Sequence, residues 1–249
     1  MMSSQFDALA QLYEDFSALP FRQHLEFPTV LGAVGTVNAE RKVLDLGCGS
    51  GVYSRMLAGR GAFAVTGLDE SAGMIGYARR REEAERLGIR YVAGPLPAEL
   101  HGTFDLVLAV YVLPYASSYP ELVDLFRTAA GALRTGGELV TLPIHPDLPA
   151  DPDYYSRYGF RLNPLHGRED GGEVDLHILF GSYDTHVTAH YWSAPTLEKA
   201  LAETGFGPSQ WHRHRLSDAA AAGPDTFWRP YLDAPHAGLL TAKQLTGRS

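Results

Sequence analysis

Between residues 42 and 142, short apolar runs alternate with longer segments whose apolar positions recur at helical spacing. The runs are KVLDLG, FAVTGLD, IRYVAG, FDLVLAVYV and ELVTL, each the length of a strand. FDLVLAVYV is apolar almost throughout, which predicts a central strand buried on both faces. After the first run the glycine turn GCGSG leads into VYSRMLAG, a helix stopped by Gly59 and Gly61. SAGMIGYARRREEAERLG predicts a second, charged-faced helix. Leu122, Leu125, Phe126, Ala129 and Leu133 mark one face of a third, closed by Gly136 and Gly137. Strand and helix in strict alternation predict right-handed crossovers and a parallel sheet, an α/β fold.

The flanks read differently. Phe6, Leu9, Ala10, Leu12 and Tyr13 give residues 4 to 16 a helical period that Pro20 breaks, and a second short segment from Phe21 ends at Gly35. Residues 143 to 174 are rich in Pro, Asp, Gly and Tyr, and are too long for a simple connection, so a lid or small insertion is expected. EVDLHILF and DTHVTAHYW predict an antiparallel hairpin around a Gly-Ser turn. Ser193 and Pro195 then open a helix whose apolar face is Leu197, Ala200 and Leu201. Two apolar runs, 210 to 216 and 239 to 242, would complete the sheet. The organisation expected is one domain: an N-terminal helical lid (1–38), a ligand-binding core (42–142), a cap insertion with its hairpin (143–192) and a C-terminal completion of the sheet (193–249).

Composition narrows the chemistry. The 249 residues are 45% hydrophobic, enough for a substantial core. A single cysteine, Cys48, excludes an intrachain disulfide and a zinc site built on several thiolates, and no metal is expected. A net charge of -8 offers no broad counterion-releasing surface, so nucleic acid is not the expected partner. No run approaches the roughly 20 apolar residues that span a bilayer. A cytoplasmic protein without a membrane partner is expected, as monomer or homodimer.

Gly47, Gly49 and Gly51 stand between a strand and a helix, where missing Cβ atoms admit a ligand to backbone N–H groups. Asp69 ends the second strand, 18 residues after Gly51, where a carboxylate can accept both ribose hydroxyls of an adenosine. A nicotinamide site would want a glycine where Val52 stands. Asp45, two residues before the turn, suits a ligand amino group better than a pyrophosphate, which it would repel.

These residues carry a resemblance. VLDLGCGSG, VTGLDESAGMIGYAR, FDLVLAVYVLPYA and LRTGGELV, in this order, resemble the class I S-adenosylmethionine-dependent methyltransferases. The resemblance implies a Rossmann-like, doubly wound, seven-stranded sheet with an antiparallel last strand. S-adenosyl-L-methionine would bind across the strand ends and leave as S-adenosyl-L-homocysteine. It further implies Asp45, Gly47, Cys48 and Gly49 along the methionine part, Asp69 at the ribose and Met74 on one adenine face. The carbonyl of Ala109 would face the cofactor amino group, and Tyr13 and Arg22 would close over its carboxylate. Many relatives hold the adenine amino group with an acid after the third strand; here Gly94-Pro95-Leu96 stands instead, leaving a backbone contact from Leu96. YEDFSALPFRQHLEFPTVLGAVG, YGF at 158 to 160 and WHRHRLSDAAAAGPDTFWRPYLD are also similar to small-molecule methyltransferases of bacterial secondary metabolism, including toxoflavin-pathway N-methyltransferases.

Methyl transfer from a sulfonium is an in-line displacement that needs a positioned nucleophile, and, where that nucleophile carries a proton, a group to take it. Candidate bases are His24, Glu26, His145, His177 and His186. His145, just past the fifth strand, is preferred, with Glu26 next because it stands between Leu25 and Phe27. Tyr111 and Tyr115 leave the fourth strand where the transferable methyl would lie. With Tyr154, Tyr155 and Tyr158 they could form an aromatic wall that stacks a planar acceptor and attracts the sulfonium. The expected activity is methylation of a small heteroaromatic metabolite at nitrogen. The alternatives are C-methylation of an electron-rich aromatic such as an indole, O-methylation, or a cofactor-binding module without catalysis.

Overall fold

The computed structural model describes residues 9–35, 40–62, 64–223 and 226–245. Seven strands form the main sheet: β1 (Lys42–Leu46), β2 (Ala64–Asp69), β3 (Arg90–Ala93), β4 (Phe104–Val110), β5 (Leu133–Leu142), β9 (Gln210–His212) and β10 (Leu239–Lys243). Their spatial order is β3-β2-β1-β4-β5-β10-β9. Pairs among β1 to β5 are parallel, whereas β10 runs antiparallel to both its neighbours. This is the doubly wound, Rossmann-like arrangement that the alternating pattern and the family resemblance imply. The order reverses between β1 and β4, so their C-terminal ends open the crevice where such sheets bind ligands.

Each crossover helix is short and one-sided. α3 (Val52–Gly59) follows the glycine turn, and α4 (Ala72–Glu85) is capped by Ser71, whose hydroxyl accepts the Met74 N–H at 3.1 Å. α5 (Tyr119–Ala132) buries Leu122, Val123, Phe126 and Ala129 against the sheet. α6 (Ala194–Glu203) covers the same face with Leu197, Ala200 and Leu201. No helix among the described residues is long and apolar enough to cross a membrane.

The N-terminal segment forms α1 (Ala10–Ser17), a π-helical turn over Arg22–Glu26, and α2 (Phe27–Val34). The expected helix start at residue 4, with Phe6, lies outside the described residues. So do residues 36 to 38 of the expected lid, Phe63 at the head of the second run, and 224 and 225 of the tail. The wide turn has a local cause. Pro28 lacks the N–H that would bond the His24 carbonyl, and Ser217 N–H takes that carbonyl instead, at 2.7 Å.

The insertion holds more structure than its composition suggests. The hairpin of β7 (Glu173–Phe180) and β8 (Tyr183–His190) is present, but β6 (Phe160–Pro164) joins it, giving a three-stranded antiparallel sheet. Its inward residues Leu162, Val174, Ile178 and Val187 pack with Leu12, Phe16 and Phe21 of the N-terminal segment and with Tyr231 of α7 (Arg229–Asp233). The cap is therefore one apolar cluster shared by three separate stretches of chain.

Candidate active site

The glycine turn after β1 is shaped by close approach. Gly47, Gly49 and Gly51 have φ of 66°, 53° and 87°. A Cβ on Gly47 would meet Val112 Cγ2 at 2.4 Å, and one on Gly51 would meet the Tyr91 hydroxyl at 2.4 Å. Asp69 locks the turn to the end of β2: its Oδ2 accepts Gly49 N–H and its Oδ1 accepts Ser71 N–H, both at 2.8 Å. Behind the turn, Asp45 is buried and accepts the Ser54 hydroxyl at 2.6 Å. Burial pushes its carboxyl up to about 7; the Ser54 bonds oppose the rise and the charge of Asp69 adds to it. A carboxylate so placed favours a cationic ligand group.

These residues line one side of a cavity of about 300 Å³. Met74, Pro95 and Leu96 form an apolar slot at one end. Tyr13, Arg22, Tyr53, Tyr111, Val112 and Tyr115 bound the other. α1 is held over the opening by Glu14, which takes Arg55 at 2.6 Å and Arg81 at 3.4 Å.

Beneath that second end runs a buried polar chain. Glu26, fully buried, forms an ion pair with Arg22, whose Nε lies 2.8 Å from Oε1; Oε1 also accepts the Tyr53 hydroxyl at 2.7 Å and Oε2 the Tyr111 hydroxyl at 2.5 Å. The Tyr111 oxygen is also 3.1 Å from His236 Nε2, and Tyr231 OH is 2.5 Å from His236 Nδ1. With the Tyr111 proton directed at Glu26, Nε2 must donate and Nδ1 must accept from Tyr231. Burial pushes the His236 imidazole well below its ordinary value, so it is neutral, as this chain of bonds requires. Tyr111 holds its place with φ of 57°, one of two described non-glycine residues at positive φ. Such backbone strain is tolerated where surrounding contacts over-determine it.

The structure gathers most of the residues singled out from the sequence. Tyr13, Arg22, Asp45, Gly47, Cys48 and Gly49 line the cavity, as do Asp69, Met74, Leu96, Tyr111 and Tyr115. Glu26 stands directly behind the wall. Cys48 is buried and its thiol is pushed well up, chiefly by burial, which keeps it protonated.

Other expectations are corrected. The Ala109 carbonyl does not face the cavity; it accepts the Thr141 hydroxyl at 2.7 Å, and the rim is made by Val110 to Val112 instead. His145 does not reach the cavity. Its backbone N–H bonds the His236 carbonyl, drawing the end of β5 toward the C-terminal segment, and its Nδ1 accepts Asp147 N–H at 3.0 Å. His24 bonds the Ser217 hydroxyl at 3.0 Å, and His177 and His186 stand on the cap hairpin. Tyr154, Tyr155 and Tyr158 build the cap core rather than an aromatic wall, with hydroxyls on the carbonyls of Pro230, Ala234 and Phe227. No residue of 143 to 174 lines the cavity, so the insertion supports the lid rather than forming its inner surface. Tyr53 and His236 were not anticipated. Tyr53 had a sequence signal, being two residues past the glycine turn, but His236 sits in an irregular segment without one.

Comparison with known proteins agrees with this geometry. The methyltransferase domain family matches residues 43–137. The chain is 30% identical over 223 residues to a demethylmenaquinone methyltransferase of Tropheryma whipplei, covering 87% of each. A crystal structure of an S-adenosylmethionine-dependent methyltransferase from Mesorhizobium loti is similar at TM-score 0.61 and 25% identity, over 88% of this chain and 97% of that one. The CcbJ methyltransferase of Streptomyces caelestis shares the fold at TM-score 0.67 and 17% identity, over 99% and 100% of the two chains. The chain belongs to the class I S-adenosylmethionine-dependent methyltransferases.

Proposed function

We propose that this enzyme methylates a small planar heteroaromatic metabolite at nitrogen, with Glu26 acting through Tyr111 as the proton acceptor. When bound, the cofactor supplies an electrophilic sulfonium methyl. Asp69 would hold its ribose, Met74 and Leu96 its adenine, Asp45 its amino group, and Tyr13 and Arg22 its carboxylate, with Gly47, Cys48 and Gly49 along the methionine part. The fit rests on the close-packed glycine turn, the apolar slot, and a buried carboxyl at Asp45 that lines the same cavity and can pair with an ammonium.

The observation that carries the proton path is the buried carboxylate bonded to two tyrosine hydroxyls at the cavity wall. The Tyr111 oxygen takes the acceptor's proton as its own passes to Glu26 Oε2. His236, donating from Nε2, holds the phenol in place. Tyr115 stands beside it and offers a ring on which a planar acceptor can stack. The cap and α1 exclude water from this end. The small-molecule methyltransferases among the relatives support a metabolite-sized acceptor, and a cytoplasmic, single-domain enzyme is part of the same proposal.

A second reading is C- or O-methylation of an aromatic hydroxyl compound, favoured by the demethylmenaquinone methyltransferase among the relatives. The Glu26–Tyr111 pair would take a hydroxyl proton equally well. The test is transfer of isotope from methyl-labelled cofactor to separate panels of azaheterocycles, phenols and indoles, with RNA and protein as further acceptors. Label on ring nitrogen supports the first reading, label on carbon or oxygen the second, and label on RNA or protein overturns both.

A further inference from the structure

We propose that the outer face of the cap hairpin binds one divalent transition-metal ion through His177, Asp184 and His186, with Asp175 orienting His186. The inward face of β7 and β8 is spent on the cap core, so these four side chains stand together on the opposite face, away from the cavity. His177 and His186 are directly opposed across the strands, and their rings lie parallel within 12° at 4.1 Å between centroids. One ligating atom from each of His177, Asp184 and His186 lies within 4.8 Å of the other two. A metal about 2.0 to 2.2 Å from each donor needs these atoms roughly an ångström closer, a movement open to the exposed Asp184 and His186 side chains around the half-buried His177.

Charge and hydrogen bonding favour the ion. Asp175 and Asp184 bring two carboxylates to the cluster, both bonded to its imidazoles. The nearest cation on the adjoining strand, Arg161 opposite His177, is turned to Asp153 at 2.6 Å. Asp175 accepts from His186 Nδ1 at 2.9 Å, the second-sphere bond that directs Nε2 to a metal. Asp184 Oδ1 is 2.6 Å from His177 Nε2, so an ion entering there displaces the shared proton, and His177 then carries its hydrogen on Nδ1. Two imidazoles and one carboxylate suit zinc, with water completing the sphere. None of the four residues lines the cavity, so the ion would tie β7 to β8 rather than take part in methyl transfer.

The test is calorimetric titration of Zn²⁺ into the full, untagged, chelator-stripped chain, with Co²⁺ absorption as a second readout. The proposal expects one equivalent of Zn²⁺ and a visible Co²⁺ band. His186→Gln and Asp184→Asn should each weaken binding at least tenfold, and Asp175→Asn about 10- to 100-fold. Zn²⁺ should raise the melting temperature of the wild type but not of His186→Gln. Absence of binding at millimolar Zn²⁺, or equal affinity in the His177→Gln/His186→Gln double variant, would overturn it. Circular dichroism establishes that each variant is folded, and the half-buried, shape-preserving Asp175→Asn keeps the test decisive should a histidine variant misfold.

Discussion

Replacing Glu26 by glutamine preserves shape and removes one buried charge. Glu26 has no exposed surface, and its partner Arg22 is 6% exposed. In Glu26→Gln the Arg22 guanidinium is left with the rings of Phe27, Phe16 and Tyr111, whose centroids lie 5.3, 5.5 and 5.6 Å from its carbon. Breaking a buried ion pair by removing one partner costs about 3 to 5 kcal/mol. Bonds from Tyr53 and Tyr111 fall from the charged class, about 1.5 to 3 kcal/mol, toward about 1 kcal/mol each. The cation–π contacts of Arg22 are present in both proteins and offset none of this. A net loss of at least about 3 kcal/mol is expected in urea denaturation, with an unchanged m-value. Turnover of the folded fraction should fall about 10²- to 10⁴-fold with cofactor affinity nearly intact. A stability change under about 1 kcal/mol would refute the buried pair. Turnover within twofold of wild type would refute the proton path: the acceptor would then enter already nucleophilic, and positioning by Tyr111 and Tyr115 would carry the rate.

Three further outcomes are expected. Asp69→Ala should weaken S-adenosylmethionine binding by about 1.5 to 3 kcal/mol in calorimetry, while NAD competes in neither protein. Asp45, raised to about 7 by burial, must lose its proton to hold an ammonium. Cofactor affinity should therefore climb up to about tenfold per pH unit as pH rises toward 7 and level off above it, with proton release below 7 seen in buffers of different ionisation enthalpy. His236 has a folded pKa pushed below its unfolded value of about 6.5, so its contribution to stability is complete above 6.5 and is lost as pH falls toward the folded value. His145 and His214 are lowered too, so removing one of three should flatten, not abolish, the acid limb of stability in His236→Gln.

What the amino-acid pattern reveals and what it hides follow from how each feature is encoded. The five strands up to residue 142 and their helices rest on periodicity, which is local, and all are present. The cofactor side rests on residue types that few other roles explain, a glycine turn and an acid at the next strand end, and these meet at the cavity. β6 escapes because FRLNP ends in Pro164, follows Gly159 and has only two inward apolar residues, Phe160 and Leu162, within a stretch whose composition reads as loop. Distance along a strand suggests His145 and Ala109, but neither lines the cavity: the His145 backbone is bonded to His236 and the Ala109 carbonyl to Thr141. His236 is the opposite case. Nothing in its neighbourhood marks it, and only the folding of the C-terminal segment under the cap brings it to Tyr111 from 125 positions away.

The most direct test of the account is a crystal structure with S-adenosylhomocysteine bound. The ribose hydroxyls should lie within about 3.2 Å of Asp69 and the ligand ammonium beside Asp45. The sulfur should face the space bounded by Tyr111 and Tyr115, where an acceptor atom can sit about 3 to 3.5 Å from a methyl on it. A sulfur turned toward Met74 and Leu96, or a ribose away from Asp69, would contradict it.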